Sequence, residues 1–250
     1  MSIALRTRAL CKQFGPFTAT SDVDLEVARG ARHALIGPNG AGKSTLINLL
    51  TGVLPPSSGD VFLGDDCITK LSQHERVKRG LSRTFQINTL FPGLSVLESV
   101  VLAICGRKGL TRIWHRTVAR QQAEIAEAQA LLASLSLEAE ANATVRELAH
   151  GKQRLVEIAL ALAMRPSILL LDEPAAGIPS HASAELFDVI ARLPREVSIL
   201  LIEHDMDIVF RFAERITVLV SGRILAEGAP ETIAADPRVR EVYLGEAAHD

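Results

Sequence analysis

An α/β fold, a sheet of largely parallel strands with helices on both faces and a helical insertion, is predicted by three observations in the 250-residue sequence. A glycine-rich loop, Gly37-Pro38-Asn39-Gly40-Ala41-Gly42-Lys43-Ser44-Thr45, lies between the apolar run Ala34-Leu35-Ile36 and the helix-like Leu46-Ile47-Asn48-Leu49-Leu50. Two further runs, at residues 168–171 and 199–202, are apolar at every position, as strands covered on both faces are. Between about 95 and 161 the texture changes to long helical patterns, the mark of an insertion.

Composition narrows the function classes. The hydrophobic fraction of 48% suits a large core, and 250 residues favour one elaborated α/β domain over two independent ones. A formal charge of −2 gives no basic surface for nucleic acid, so no nucleic-acid partner is expected. Cys11, Cys67 and Cys105 are widely spaced and read as small packed hydrophobes in a reducing compartment. The N-terminus has no long apolar segment, and no stretch approaches the ~18 apolar residues of a membrane span.

Along the chain, residues 23–27, 33–36 and 61–63 read as the first strands. The second of them feeds the glycine-rich loop. There successive backbone N–H groups curl toward one point, the following helix adds its partial positive charge, and Lys43 supplies a full one. That geometry fits a polyphosphate. The spacing G-x-x-x-x-G-K-[ST] places Ser44 where a hydroxyl ligates Mg²⁺ bridging the outer phosphates of a nucleotide. Gln86 follows the short strand-like segment 81–85 and precedes the helical insertion. In the insertion, Ser95-Val96-Leu97-Glu98 is a capping box, and Val118, Ile125 and Leu132 repeat at a helical spacing that reads as the insertion's own core.

The segment Leu148-Ala149-His150-Gly151-Lys152-Gln153-Arg154 precedes an amphipathic helix expected over 155–164. Its glycine and cations suit an anion near a helix start, or equally a plain glycine cap on a basic helix. The strand at 168–171 ends in Asp172-Glu173, and the strand at 198–202 ends in Glu203-His204. Both charged pairs therefore sit at the C-terminal edge of the sheet, where open α/β folds bind ligands. An acid there can hold the hydration shell of Mg²⁺, a second can accept a hydrogen bond from an attacking water, and His204 can reach a terminal phosphate. The other six histidines form no metal-ligand spacing. Last, Ser221-Gly222 separates the strand at 216–220 from 223–226, a hairpin signal.

Taken together, GPNGAGKST at 37–45, Gln86, LAHGKQR at 148–154, ILLLDEP at 168–174 and His204 resemble the ATP-binding subunits of ABC transporters in order and spacing. More narrowly, RTFQ at 83–86, LDEPAAG at 171–177, LIEHDM at 201–206 and VYLGE at 242–246 are similar to the branched-chain (hydrophobic) amino acid uptake family. The last of these also occurs in subunits that power lipopolysaccharide export. The resemblance implies a P-loop NTPase (RecA-like) core over about 1–94 and 162–250, with a small antiparallel β part, and a helical subdomain over about 95–161.

It also implies roles. Phe14 would stack on adenine, residues 37–45 with Lys43 would grip the phosphates of ATP, and Ser44, Gln86 and Asp172 would approach Mg²⁺. Glu173 would polarise the attacking water, and His204 would contact the γ-phosphate. A second ATP-binding subunit would meet this one head to tail, its phosphate loop facing Ala149, Gly151 and Lys152. Transmembrane permease subunits, and indirectly an external solute-binding protein, would complete an importer. Its ATPase would sit peripherally on the cytoplasmic side of the inner (plasma) membrane. Three positions depart from the common LSGGQ signature: Ala149 replaces the serine, His150 the first glycine and Lys152 the glutamine. Pro179 stands where relatives carry Asp or Asn.

Other readings are a urea/amide importer, a lipopolysaccharide exporter, a P-loop kinase and a nucleotide-binding regulator that does not hydrolyse. A chromosome-structuring ATPase would need a very long coiled coil between Gln86 and Leu148, for which there is no room.

Overall fold

The computed structural model describes residues 2–84, 93–110 and 121–246. The chain divides into two compact units, one of Met1–Leu81, Ser167–Glu173 and Pro194–Asp250, the other of Ser82–Pro166 and Pro174–Leu193.

The first unit opens with β1 (Ile3–Phe14), flanked by β2 (Phe17–Val23), β3 (Glu26–Ala28), β5 (Ser58–Leu63) and β6 (Asp66–Cys67) in an antiparallel sheet of order β2-β1-β5-β6, with β3 also paired to β1. The single strand expected at 23–27 is in fact two. Val23 ends β2 opposite Leu10, whereas Val27 of β3 lies opposite Leu5, so the two pieces serve different halves of the same long strand. Thr7 holds the break: its hydroxyl donates to the Val23 carbonyl at 2.7 Å and accepts the Leu25 N–H at 2.8 Å.

The second sheet has the order β11-β10-β4-β9-β8-β7, with β4 (Arg32–Ile36), β7 (Leu81–Arg83), β8 (Ile168–Asp172), β9 (Ser198–Ile202), β10 (Arg215–Val220) and β11 (Arg223–Gly228). Strands β10, β4, β9 and β8 run parallel, and β11 returns antiparallel to β10. Burial on both faces explains why residues 168–171 and 199–202 are apolar at every position, while β4 and β10 carry buried polar groups at His33 and Thr217. Leu35 of β4 joins a core with Leu46, Leu49 and Leu50 of α1 (Lys43–Thr51). Ala34 and Ile36 join another with Val209 of α7 (Met206–Phe212), Ile233 of α8 (Pro230–Ala235) and Val239 of α9 (Pro237–Glu246). Each such Leu or Ile contributes about 1.5–3 kcal/mol by leaving water. The C-terminal end of α1 is capped by a buried guanidinium from α2 (Gln73–Lys78). Arg76 donates to the carbonyls of Leu49 and Leu50, both at 2.7 Å, which satisfies terminal carbonyls of the helix.

The second unit contains α3 (Val96–Arg107), α4 (Gln122–Ser134), α5 (His150–Ala163) and α6 (Ser180–Ala191). Ser95 and Glu98 form the reciprocal cap read from the sequence. Leu132 is buried and Ile125 half-buried, while Val118 lies outside the described residues. Glu127 gathers Arg107, Lys108 and Arg165 around one carboxylate. This unit begins earlier than the expected 95–161 and also takes in residues 174–193, because α6 packs on α5. Among the described residues, no helix is long and apolar enough to cross a membrane.

Candidate active site

Strand β4 delivers the glycine-rich loop. Gly37 has φ 153°, and a Cβ there would sit 2.1 Å from the Leu219 carbonyl oxygen; Gly42 has φ 99°, and its Cβ would sit 2.5 Å from that of Ala19. Only glycine fits at either place. Helix α1 starts at Lys43 with Gly42 as its N-cap and no side chain capping it, the kind of helix N-terminus that favours an anion. The Lys43 ammonium bends back over the loop, donating to the carbonyls of Gly37 and of Pro38, the latter at 3.0 Å. Asn39, Gly40 and Ser44 are exposed, Pro38 and Thr45 half-buried and Ala41 buried. The loop is thus a positively charged cradle whose shape is set by neighbouring backbone.

That cradle is braced from the β10-β11 turn. Ser221 and Gly222 have φ 47° and 76°, the paired positive values of a type I′ hairpin, so the sequence signal was correct. Gly222 donates its N–H to the Ala41 carbonyl at 2.8 Å and accepts from Ser21 at 2.8 Å. Behind the loop, His33 of β4 is fully buried, with Nε2 2.7 Å from the Thr217 hydroxyl, which in turn donates to Glu227 at 2.9 Å. Burial pushes the His33 pKa down to about 4, against the pull of Glu227 and helped by Arg215.

Asp172 is the last residue of β8, half-buried and in register with Ile202 of β9. Glu173 continues the pairing, donating its N–H to the Ile202 carbonyl at 2.9 Å, but at φ 45°. Such a backbone in a non-glycine residue costs about 1–3 kcal/mol and persists only where surrounding structure holds it, here the pairing to Ile202. Immediately after β9, His204 places Nδ1 3.9 Å from Glu173 Oε1, with the two side chains 68% and 46% exposed. A carboxylate able to accept a proton from water and an imidazole able to contact an anion therefore share one end of the sheet. Sequence reasoning assigned nothing to Glu203. It is 1% exposed, and its Oε2 accepts the His204 N–H at 3.1 Å. Its signal was a glutamate closing an otherwise apolar strand.

Phe14 ends β1 opposite Phe17, 46% exposed, with the Lys12 ammonium 5.2 Å from its ring centre. Gln86 lies outside the described residues. Ala149, Gly151 and Lys152 belong to the second unit, and the helix expected at 155–164 starts earlier. Ala149 is the N-cap of α5, so Gly151 and Lys152 form its first turn. A Cβ at Gly151 would lie in ordinary contact with Ala182 Cβ at 3.7 Å, and Lys152 pairs with Glu140. Pro179 is the N-cap of α6, its carbonyl accepting from Ala182 and Ser183 at 2.9 and 3.0 Å.

Among the described residues no three His, Cys, Asp or Glu side chains cluster to hold a metal ion. The Ser44 hydroxyl and the Asp172 carboxylate are oxygen donors of the kind that would suit Mg²⁺, which keeps several waters and takes one or two protein ligands beside substrate phosphates.

The ABC transporter family matches residues 20–176, more than half of the chain. The chain belongs to that family. A second family, the branched-chain amino acid ATP-binding cassette transporters, matches residues 223–249. Among named ABC relatives, the high-affinity branched-chain amino acid transport ATP-binding protein LivG of Escherichia coli (strain K12) is 38% identical, covering 97% of this chain and 98% of that protein. The lipopolysaccharide export system ATP-binding protein LptB of Acidithiobacillus ferridurans is 36% identical, covering 98% of each. Among solved structures, an ATP-binding cassette of an ABC transporter in its ADP conformation has a TM-score of 0.86 at 31% identity, over 98% of this chain and 100% of that one. A dimeric cassette bound to ADP and Pi after hydrolysis has a TM-score of 0.73 at 26% identity, over 90% and 98%. The P-loop NTPase fold expected from the resemblance is therefore the observed one.

Proposed function

We propose that this ABC transporter subunit hydrolyses Mg-ATP to power uptake of branched-chain or other hydrophobic amino acids. It would work on the cytoplasmic side of the inner membrane, against permease subunits fed by an external solute-binding protein. The observation that carries hydrolysis is the approach of Glu173 and His204 at 3.9 Å, from the ends of neighbouring strands. In this reading residues 37–45 bind the triphosphate and Phe14 stacks on adenine. Ser44, Asp172 and Gln86 hold Mg²⁺, which when bound neutralises charge on the outer phosphates. Glu173 accepts a proton from the attacking water, Lys43 draws charge from the breaking bond, and His204 contacts the terminal phosphate.

A second ATP-binding subunit completes the site. The first turn of α5, where Ala149 offers no side-chain cap and Gly151 carries no side chain, supports its use as the signature contact to the partner's nucleotide. Ala149 supplies no hydroxyl there, which forgoes a charged hydrogen bond of about 1.5–3 kcal/mol. The names of the 38% identical relatives support amino acid uptake, and the 36% identical LptB makes lipopolysaccharide export the second reading.

The test is uptake of labelled leucine, isoleucine and valine by cells carrying Glu173→Gln in the chromosomal copy. Loss of uptake of these three is expected. Normal uptake together with failed lipopolysaccharide delivery would favour the exporter, and ADP formed only when an acceptor is added, with the phosphoryl group on that acceptor and no inorganic phosphate released, would favour a kinase.

A further inference from the structure

We propose that Glu203 is a positioning residue for His204, an inference resting on the reading of His204 as the contact to the terminal phosphate. Its carboxylate is 1% exposed beside a histidine whose side chain is 68% exposed. A carboxylate taken from water must be satisfied by neighbours, and one of these is the His204 N–H, 3.1 Å from Oε2. The same oxygen lies 3.7 Å from His204 Nδ1. Glu173 Oε1 faces that nitrogen from 3.9 Å, and the carboxylate of Asp205 is taken up by the N–H groups of Asp207 and Ile208.

Both separations exceed a hydrogen bond, but the ring is exposed, and a small rotation about its side-chain bonds closes the gap to Glu203. The hydrogen bond made by one ring nitrogen decides which of them carries the proton. Two carboxylate oxygens facing one edge favour the proton on Nδ1, and of the two Glu203 is the fixed one, being buried and tied to the His204 backbone. Nε2 is left as the edge offered to nucleotide. There an anionic phosphate favours a second proton, taken from solvent, and both nitrogens then donate.

Heteronuclear NMR of the full chain carrying isotope-labelled histidine reads the tautomer directly, with His204 assigned by its disappearance in His204→Ala. At a pH where the ring is neutral, the proton is expected on Nδ1 in the wild type and displaced toward Nε2 in Glu203→Gln. A wild-type proton on Nε2, or the same tautomer in both proteins, would overturn the proposal, and the first of these needs no variant to fold. Turnover gives a second readout. Glu203→Gln is expected to lower kcat about tenfold with KM little changed, and to add no further loss in a His204→Ala background. Equal losses in both backgrounds would mean a merely structural role. A wild type that releases no phosphate would sink the hydrolysis reading, while the tautomer result still judges Glu203.

Discussion

Gly222 donates its backbone N–H to the carbonyl of Ala41 at 2.8 Å, tying the tip of the β10-β11 hairpin to the middle of the glycine-rich loop. The contact is possible because Gly222 sits at φ 76° with the Ala19 carbonyl so close that a Cβ would meet its oxygen at 2.6 Å. A hairpin distant in sequence is therefore part of the cradle.

Gly222→Ala is accordingly expected to destabilise the chain by about 1–3 kcal/mol and to weaken ATP binding. Ser221→Gly, one residue away and already at positive φ, is expected to stay within about 1 kcal/mol of wild type. Urea unfolding and calorimetric ATP titration of the two variants check the contrast.

A buried histidine gives a pH signature. His33 keeps its neutral form down to about 4, whereas the unfolded chain titrates near 6.5. Between these values the unfolded chain binds more protons, so stability falls as pH drops from about 6.5 to about 4, by up to about 3 kcal/mol from this group. His33→Gln should unfold more easily at neutral pH but lose less on acidification. An unchanged difference between urea midpoints at neutral and acid pH would show that His33 does not set this window.

Much of the fold was legible because two-faced burial leaves a plain mark. The strands at 168–171 and 198–202 were read within one residue of β8 and β9, and Ser95 with Glu98 announced the start of α3. The split between β2 and β3 was not legible, since it is imposed by partners on β1 and held by the Thr7 side chain. The start of α5 was misplaced because Gly151 looked like a boundary, although a glycine in the first turn costs a helix less than one in its interior. At the site, loop and strand-end carboxylates could be read from residue order. Glu203 could not, because its role depends on a side chain folding back over its own successor.

Lys152 tests the departure in the signature segment. It pairs with Glu140 while 44% exposed, an arrangement worth less than about 1 kcal/mol, so the ammonium is free to turn toward a partner's nucleotide. Lys152→Gln should leave the thermal midpoint nearly unchanged but weaken ATP-dependent dimerisation, measured by sedimentation. Unaltered dimerisation and turnover would remove Lys152 from the site.

Glu173→Gln should retain ATP binding, slow phosphate release by about 10²–10⁴-fold and prolong the ATP-bound dimer. Single-turnover assays with chromatography of the nucleotide-bound species measure both effects. Turnover equal to wild type would relocate the general base.

The most direct test is calorimetric titration of the chain with ATP, with and without Mg²⁺, in wild type and Lys43→Ala. Magnesium-dependent ATP affinity that is lost in Lys43→Ala is expected. Absence of that affinity in the wild type, or its survival without the Lys43 ammonium, would contradict the assignment of residues 37–45 as the grip on a triphosphate.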